Sequence, residues 1–403
     1  MSTPGLDPIK VIELPLSKSL LQRGDILFSF LPPEVQGNLS TVNSELGEDS
    51  QGLRQARIDF FQNKNEFNVG ASATALRLWA LRLSRAPGKW RILGFPGLFA
   101  RPQDELLEIL KTLGVRASLD EASLAMEVSP SVGSGESWPR FLNITPKVTS
   151  QILTGIFLTA WDLPHEVSLK IPKEFPSKSY FEMTLGLLSK LGIHFEKLPS
   201  DSESETLRVP AHLKMASLQA GDIEKFLSEK DMSAAFFSCL FVWVAKELGH
   251  QQFEVNLDVA EVKKSLQPDA RGFKILKDHW GIDLWENKKN PKILNPKEID
   301  ISQNLDLYPV LVALGSLLNQ KIQWVGTENL AFKESHRLQR VDELLKTSLN
   351  GGMFDPRPDH RLAMAASLLL VGGRKFQTGH TEVLRKSFPQ FEPHLKVLIG
   401  ASQ

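Results

Sequence analysis

Cysteine is nearly missing from this chain: Cys239 is the only one in 403 residues. An internal disulfide framework is therefore excluded, and the composition fits a reducing cytoplasm. Net charge is also missing, because Lys+Arg and Asp+Glu both total 47. No global field draws the chain to nucleic acid or to an anionic membrane, so neither is an expected partner. Long hydrophobic runs do not occur either. The strongest run, Ala234–Ala245, is too short to span a bilayer and reads as a buried helix that encloses an inert Cys239 thiol. The opening MSTPGLDPIK has no apolar stretch of the secretory type, so a cytoplasmic protein is expected. No low-complexity tract or heptad repeat interrupts the chain, and 403 residues are enough for two domains.

What is present is a series of unusual helix starts. In Leu14-Pro15-Leu16-Ser17-Lys18-Ser19-Leu20-Leu21-Gln22-Arg23 a proline ends a strand and a helix begins, capped by Ser17 or Ser19. Lys18 and Arg23 sit in its first turns, where the helix dipole disfavours cations. The same habit recurs at Arg101 before Pro102, at Thr149-Ser150-Gln151, at Ser177-Lys178-Ser179-Tyr180, at Lys333 to Arg337 and at Asp359-His360-Arg361. Cations and hydroxyls at a helix start make sense when an anion docks on the free N–H groups there. Six such starts predict a shared anion-binding cleft.

A second pattern is modular. Glu105–Ala117, Met183–Phe195, Phe273–Trp285 and, more loosely, Val341–Phe354 each read as an amphipathic helix, a glycine stop and a short strand. The stops are Gly114, Gly192, Gly281 and Gly351. Their spacing suits α/β modules of about 70 residues, too long for a solenoid repeat. Polar stretches at Val132–Glu136, Leu198–Glu205 and Glu286–Lys297 read as loops, and the best domain boundary lies near Ser228–Asp231.

These residues resemble the enolpyruvyl transferase family, and within it the members that act on shikimate 3-phosphate. LPLSKSLLQR is similar to the family's LPGSKS…R, and VGASATALR (Val69–Arg77) to its LGNAGTAMR. ARP (Ala100–Pro102), TSQ (Thr149–Gln151) and SKSY (Ser177–Tyr180) resemble RP, SSQ and SKPY. NLAFKESHR (Asn329–Arg337), DHRLAM (Asp359–Met364) and KSFP (Lys386–Pro389) resemble NWRVKETDR, DHRMAM and KTFP. Each motif alone is weak; eight in register across Lys18 to Lys386 are specific.

The resemblance implies a two-domain, inside-out α/β fold with three βαβαββ-like units per domain around a closing cleft. Residues 16–228 would form the domain on the shikimate-phosphate side. Residues 1–15 and 229–403 would form the phosphoenolpyruvate side, with a two-strand hinge near 15 and 229. The implied reaction moves the enolpyruvyl group of phosphoenolpyruvate to the 5-hydroxyl of shikimate 3-phosphate and releases phosphate, with no cofactor and no metal. A monomer is expected.

By the same resemblance, shikimate 3-phosphate would be held by Lys18, Ser19, Arg23, Thr149, Ser150, Gln151, Ser177, Tyr180, Gln303, Asn329 and Lys333. Phosphoenolpyruvate would be held by Lys18, Ala73, Arg101, Gln151, Arg337, Arg361 and Lys386. Lys18 and Glu334 would carry the proton transfers, with Gln303 and His360 as further catalytic positions. Arg77, among Leu76, Leu78 and Trp79, reads as structural.

Three departures from the family pattern stand out. The family's asparagine and glycine are Ala71 and Ala73, and its catalytic aspartate aligns with Gln303, within Asp300–Asp306, a stretch similar to a D-x-S-Q-x-P-D variant. The extra methyl of Ala73 is expected to weaken binding of glyphosate, a larger occupant of the phosphoenolpyruvate pocket. Two rival readings are a transferase acting on UDP-N-acetylglucosamine and a catalytically silent binder of a phosphorylated ligand. The first lacks support in a start motif carrying a second serine and Arg23; the second draws on Ala71 and Gln303.

Overall fold

The computed structural model describes residues 10–32, 46–130, 138–147, 149–211, 220–249, 253–285, 293–393 and 395. The chain forms two compact units: Ser17–Glu229, the central unit, and Met1–Leu16 with Lys230–Gln403, the terminal unit. In the terminal unit β1 (Lys10–Ile12) leads to Leu16, which bridges Lys230, while Asp231 N–H donates to Pro15 O at 2.8 Å. In the central unit Ser17 N–H donates to Glu229 O at 2.8 Å.

The central unit begins with α1 (Lys18–Phe28) and α2 (Glu48–Phe61). It continues through β2 (Glu66–Asn68), α3 (Ala73–Leu83), β3 (Trp90–Leu93), α4 (Pro96–Phe99), α5 (Asp104–Thr112) and the hairpin β4 (Val115–Asp120) and β5 (Ala125–Pro130). The same order returns as β6 (Phe141–Asn143), α6 (Gln151–Ala160), β7 (Val167–Pro172), α7 (Lys178–Lys190), β8 (Glu196–Leu198) and β9 (Ser204–Val209), followed by α8 (Ala220–Leu227). Two four-stranded sheets result, ordered β2-β3-β5-β4 and β6-β7-β9-β8, with one parallel pair and then antiparallel strands in each. Phe60, Phe67, Trp79 and Trp90 pack together in one core, and Phe157 meets Phe181 and Phe195 edge-on in the other. A Cβ at Gly155 would fall 2.4 Å from Leu81 Cδ1, so glycine is what lets α6 lie against α3.

The terminal unit continues with α9 (Met232–Glu247), β10 (Phe253–Val255), α10 (Val259–Lys264) and α11 (Arg271–Ile275), which widens into a π-helical turn over Leu276–Trp280. Then come β11 (Glu298–Asp300), α12 (Tyr308–Leu317), β12 (Gln323–Val325), α13 (Arg337–Asn350), β13 (Met353–Phe354), α14 (His360–Val371) and β14 (Gln377–Thr378). Its described strands form three parallel pairs, β1-β10, β11-β12 and β13-β14. The apolar helices α9, α12 and α14 share one core, where Phe237 meets Phe391 at 4.8 Å between ring centroids. Cys239 is buried in α9, as its run of neighbours predicts.

Local chemistry sets the helix ends. Ser17, Ser72, Asp231 and Asp359 accept from the first N–H groups of α1, α3, α9 and α14. The four predicted glycine stops all have positive φ, 77°, 80°, 71° and 78° for Gly114, Gly192, Gly281 and Gly351. Strands follow after Gly114, Gly192 and Gly351, but residues 282–285, described directly after Gly281, form none. Of the predicted loops, Leu198–Glu205 holds the turn from β8 to β9, Val132–Glu136 lies outside the described residues, and Glu286–Lys297 is described only from 293. No described helix is long and apolar enough to cross a membrane.

Candidate functional site

In the central unit, side chains tie four helix N-termini together. Arg23 of α1 donates to Thr184 Oγ1 at 2.8 Å and to Tyr180 O at 3.0 Å, which fixes α1 to the start of α7. Gln22 Nε2 reaches Ser72 Oγ, the cap of α3, at 3.3 Å. Gln151, the first residue of α6, donates to Thr74 at 2.8 Å and accepts from Arg77 at 2.7 Å, joining α6 to α3. Thr154 and Thr184 meet at 3.2 Å between α6 and α7. None of these four helices has an acidic first turn. The dipoles of α1, α3, α6 and α7 therefore add at one end of the unit, a place suited to an anion.

The predicted residues of this unit fall on those helix starts, with different surroundings. Lys18, at the start of α1, forms an ion pair with Asp49 in the first turn of α2. Ser17, not Ser19, caps α1. Thr149 Oγ1 accepts from Gln151 N at 3.2 Å; Ser150 is buried at the head of α6. Ser177 precedes α7 in the left-handed region at φ 56°, and its hydroxyl caps nothing. Tyr180 lies in the first turn of α7, and Ala73 is the buried first residue of α3. Arg23 is buried and its guanidinium is pushed down to about 10 by desolvation, a clamp inside the unit. Arg77 also reaches Pro102 O at 3.1 Å, and burial, then Arg101, lower it to about 10. Arg101 keeps a buried Nε with no hydrogen-bond partner among the described residues. It is also the exception among the six starts, since α5 behind it opens on Asp104 and Glu105.

In the terminal unit the starts of α9, α12, α13 and α14 supply a dense charged cluster. Glu334 Oε2 lies 3.1 Å from Lys386 Nζ and 3.1 Å from His360 Nδ1. Asp306, just before α12, pairs with Arg337 at 2.6 Å and Lys333 at 3.4 Å, with Arg361 at 3.9 Å. Arg337 also grips Asp359, Nε to Oδ2 at 2.7 Å and Nη2 to Oδ1 at 3.3 Å. Asp359 meanwhile caps α14 through Arg361 N at 3.0 Å and accepts from Ser335 at 3.0 Å. Arg361 donates to Ser233 at the start of α9. Asn329 sits in the 3-10 turn Glu328–Phe332 that leads into this cluster, so it and Lys333 belong to the terminal unit, unlike Thr149, Ser150 and Ser177.

The electrostatics follow from this crowding. Burial pushes the Asp306 carboxyl up, yet Lys333, Arg337 and Arg361 outweigh it and hold the group well below the usual carboxylate range. Burial alone would lower Arg337, but Asp359 and Asp306 overcome it and raise the guanidinium instead. Glu334, Asp359 and His360 offer three donor atoms within 4.8 Å of one another, the spacing of a metal site. Two of those carboxylates already neutralise Lys386 and Arg337, so a metal ion would have to compete with resident cations.

Sequence reasoning passed over three carboxylates. Asp49, Asp306 and Asp359 hold Lys18, Lys333 with Arg337, and Arg337 again. The sequence reading set Gln303 in the place of the family aspartate, but the carboxylate that the fold sets among the cations is Asp306, three residues on. The available signal was the stretch Asp300–Asp306, whose last residue supplies the acid.

Comparison with known proteins agrees with this architecture. A family model described as EPSP synthase (3-phosphoshikimate 1-carboxyvinyltransferase) matches residues 34–395. The 3-phosphoshikimate 1-carboxyvinyltransferase of Clostridium kluyveri is 26% identical over 99% of this chain and 98% of its own. That of Clostridium novyi is 24% identical over 94% of this chain and 93% of its own. Among solved structures, EPSP synthase from Acinetobacter baumannii superposes with TM-score 0.61 at 17% identity, over 99% of this chain and 97% of that one. The enolpyruvyl transferase NikO from Streptomyces tendae gives 0.58 at 13% identity, over 98% and 95%. These two solved structures share the fold, and the family match spans nearly the whole sequence. The chain belongs to the EPSP synthase (3-phosphoshikimate 1-carboxyvinyltransferase) family.

Proposed function

We propose that this protein transfers the enolpyruvyl group of phosphoenolpyruvate to the 5-hydroxyl of shikimate 3-phosphate and releases phosphate. The observation that carries the reading is Asp306: a carboxylate kept ionised by Lys333, Arg337 and Arg361, set among the helix starts where anions dock. The chemistry has three demands. Two polyanions must be held together, the hydroxyl must lose a proton, and the methylene carbon of phosphoenolpyruvate must gain one.

The central unit is assigned the shikimate phosphate, through Ser19, Thr149, Ser150, Gln151, Ser177 and Tyr180, with Arg23 keeping α1 and α7 in register. Asn329 and Lys333 are assigned to the same ligand. Phosphoenolpyruvate is assigned to Arg101, Arg361 and Lys386, with Ala73 against it. Arg337 joins them only by exchanging Asp306 for the ligand, since two aspartates fill its fork. Lys18, held by Asp49, bridges both substrates. Asp306 takes the hydroxyl proton that Gln303 cannot accept and passes it to the departing phosphate; Glu334, with His360 and Lys386 on one oxygen, gives a proton to the methylene carbon and takes one back as the carbon–oxygen bond to phosphate breaks.

A coupled assay of phosphate release from the two substrates tests the reading. Turnover with shikimate 3-phosphate is the expected result. Turnover only with UDP-N-acetylglucosamine, or binding without turnover, would each replace it.

A further inference from the structure

Two modules of the central unit show how an inner strand of this fold is covered. β3 carries parallel β2 on one edge and antiparallel β5 on the other, and β7 carries β6 and β9 in the same way. In both, the helix that follows the inner strand leads into a hairpin whose second strand returns to that edge. The terminal unit repeats the order β11, α12, β12, α13, with β12 parallel to β11. There the repetition stops. α13 passes through Gly351 and Gly352 straight into β13, which pairs with β14, and α14 begins at His360. The stretch between the helices is too short for a hairpin, and no described strand pairs with the second edge of β12.

That edge has polar groups to offer. Gln323 N–H donates to Lys297 O at 2.9 Å and Val325 O accepts from Ile301 N at 3.1 Å, so both residues turn their backbone to the β11 side. The alternation of a strand then turns the N–H and C=O of Trp324 to the other edge. A groove of about 740 Å³ opens beside β12, with Val312, Trp324, Leu345 and Leu349 among its walls. Leu349 is 62% exposed and gives the groove an apolar wall that water reaches. The groove also bears Lys297, Lys321 and Arg374 against one carboxylate, Asp342. Arg374 anchors one nitrogen on Ser316 O at 3.0 Å, while its buried Nε has no hydrogen-bond partner among the described residues.

We propose that the β12 edge is a docking site for an extended acidic segment of another protein, which adds as an antiparallel strand beside Trp324. The shape of the occupant follows from β5 and β9, which fill the equivalent place elsewhere in the same chain. Its charge follows from three cations against one anion around the groove, which also opposes docking of the same edge from a second copy. Main-chain bonds to Trp324 give the attachment, alternate apolar side chains enter the groove, and acidic ends meet Lys297, Lys321 and Arg374.

The test titrates the full chain with the peptide DEVTVTVDE, a lysine-ended counterpart KKVTVTVKK and a proline-broken one, DEVTPTVDE. The acidic peptide should bind at least about tenfold more tightly than the lysine peptide, weaken with salt, and slow amide exchange over residues 322–325. Lys297→Glu with Lys321→Glu, both exposed and outside the proposed catalytic groups, should reverse the preference between the two charged peptides and leave enolpyruvyl transfer unchanged. Equal binding of the proline peptide would overturn strand addition. Protection of 322–325 by 2-naphthoate but not by any peptide would make the groove a small-anion site instead. Protection that rises with protein concentration alone would make it a contact between two copies.

Discussion

Lys386 Nζ and His360 Nδ1 converge on the same oxygen of Glu334, each at 3.1 Å. One carboxylate oxygen thus holds a lysine from the turn before Phe388 and a histidine from the first turn of α14. Glu334→Gln keeps the shape of that meeting point and removes its charge and its proton. Turnover should fall by about 10²–10⁴, the usual range for a general acid–base group, with a smaller change in KM for phosphoenolpyruvate. Steady-state kinetics on folded variant would check it; a KM-only effect would reduce Glu334 to a binding contact.

Asp306→Asn should lower turnover by a similar factor, about 10²–10⁴, whereas Gln303→Ala should change it only a few-fold. Comparable losses from both would return the aspartate's role to the Gln303 position. The Asp306 carboxyl also makes a pH prediction. Its folded pKa is depressed, so its contribution to stability is complete above the unfolded value of about 3.9 and is lost as pH falls through the lower folded value. The stability gap between the natural chain and Asp306→Asn should therefore hold down to about pH 4 and narrow only below it, as read by thermal melts along an acid series.

Arg77 bridges Gln151 and Pro102 with one planar fork. Lysine cannot span both acceptors, so Arg77→Lys should destabilise the protein by about 1–3 kcal/mol. KM for the substrates should rise as well, because Gln151 loses the contact that orients it. Melting temperature and KM measured on the same preparation give the two readings, and an unchanged melt would discard the structural part.

Burial pushes the Cys239 thiol up to about 12. A thiol of that kind is almost wholly protonated near neutral pH and out of reach of reagents. Disulfide-exchange reagents should titrate no thiol in the native protein and one after denaturation. Fast labelling of the native chain would show that α9 opens readily.

Ala73 is the buried first residue of α3, behind the Ser72 cap. Ala73→Gly removes one methyl and should raise sensitivity to glyphosate, measured as a lower inhibitor concentration at half activity. Unchanged inhibition would remove Ala73 as a determinant.

Much of this structure was legible residue by residue. The start of α1 at Ser17-Lys18, the start of α14 at Asp359-His360 and the four glycine stops could all be read in advance. Capping and positive φ depend on neighbours within a few residues, so sequence order contains the cause. Arg101 shows the limit: the cation was visible, but α5 behind it opens on acids. Arg23 shows another, since nothing local marks Thr184 and Tyr180 as its acceptors.

The sequence by itself determined the modular α/β order, the family resemblance and which helix starts carry cations. The tertiary structure alone decided which charges meet: Lys18 with Asp49, Arg337 with Asp306 and Asp359, Glu334 with Lys386 and His360. It also decided that β12 has no return strand among the described residues. The physical reason is range. Caps and stops act through bonds a few residues long, whereas an ion pair or a sheet edge is settled by packing that brings distant segments within a few ångströms.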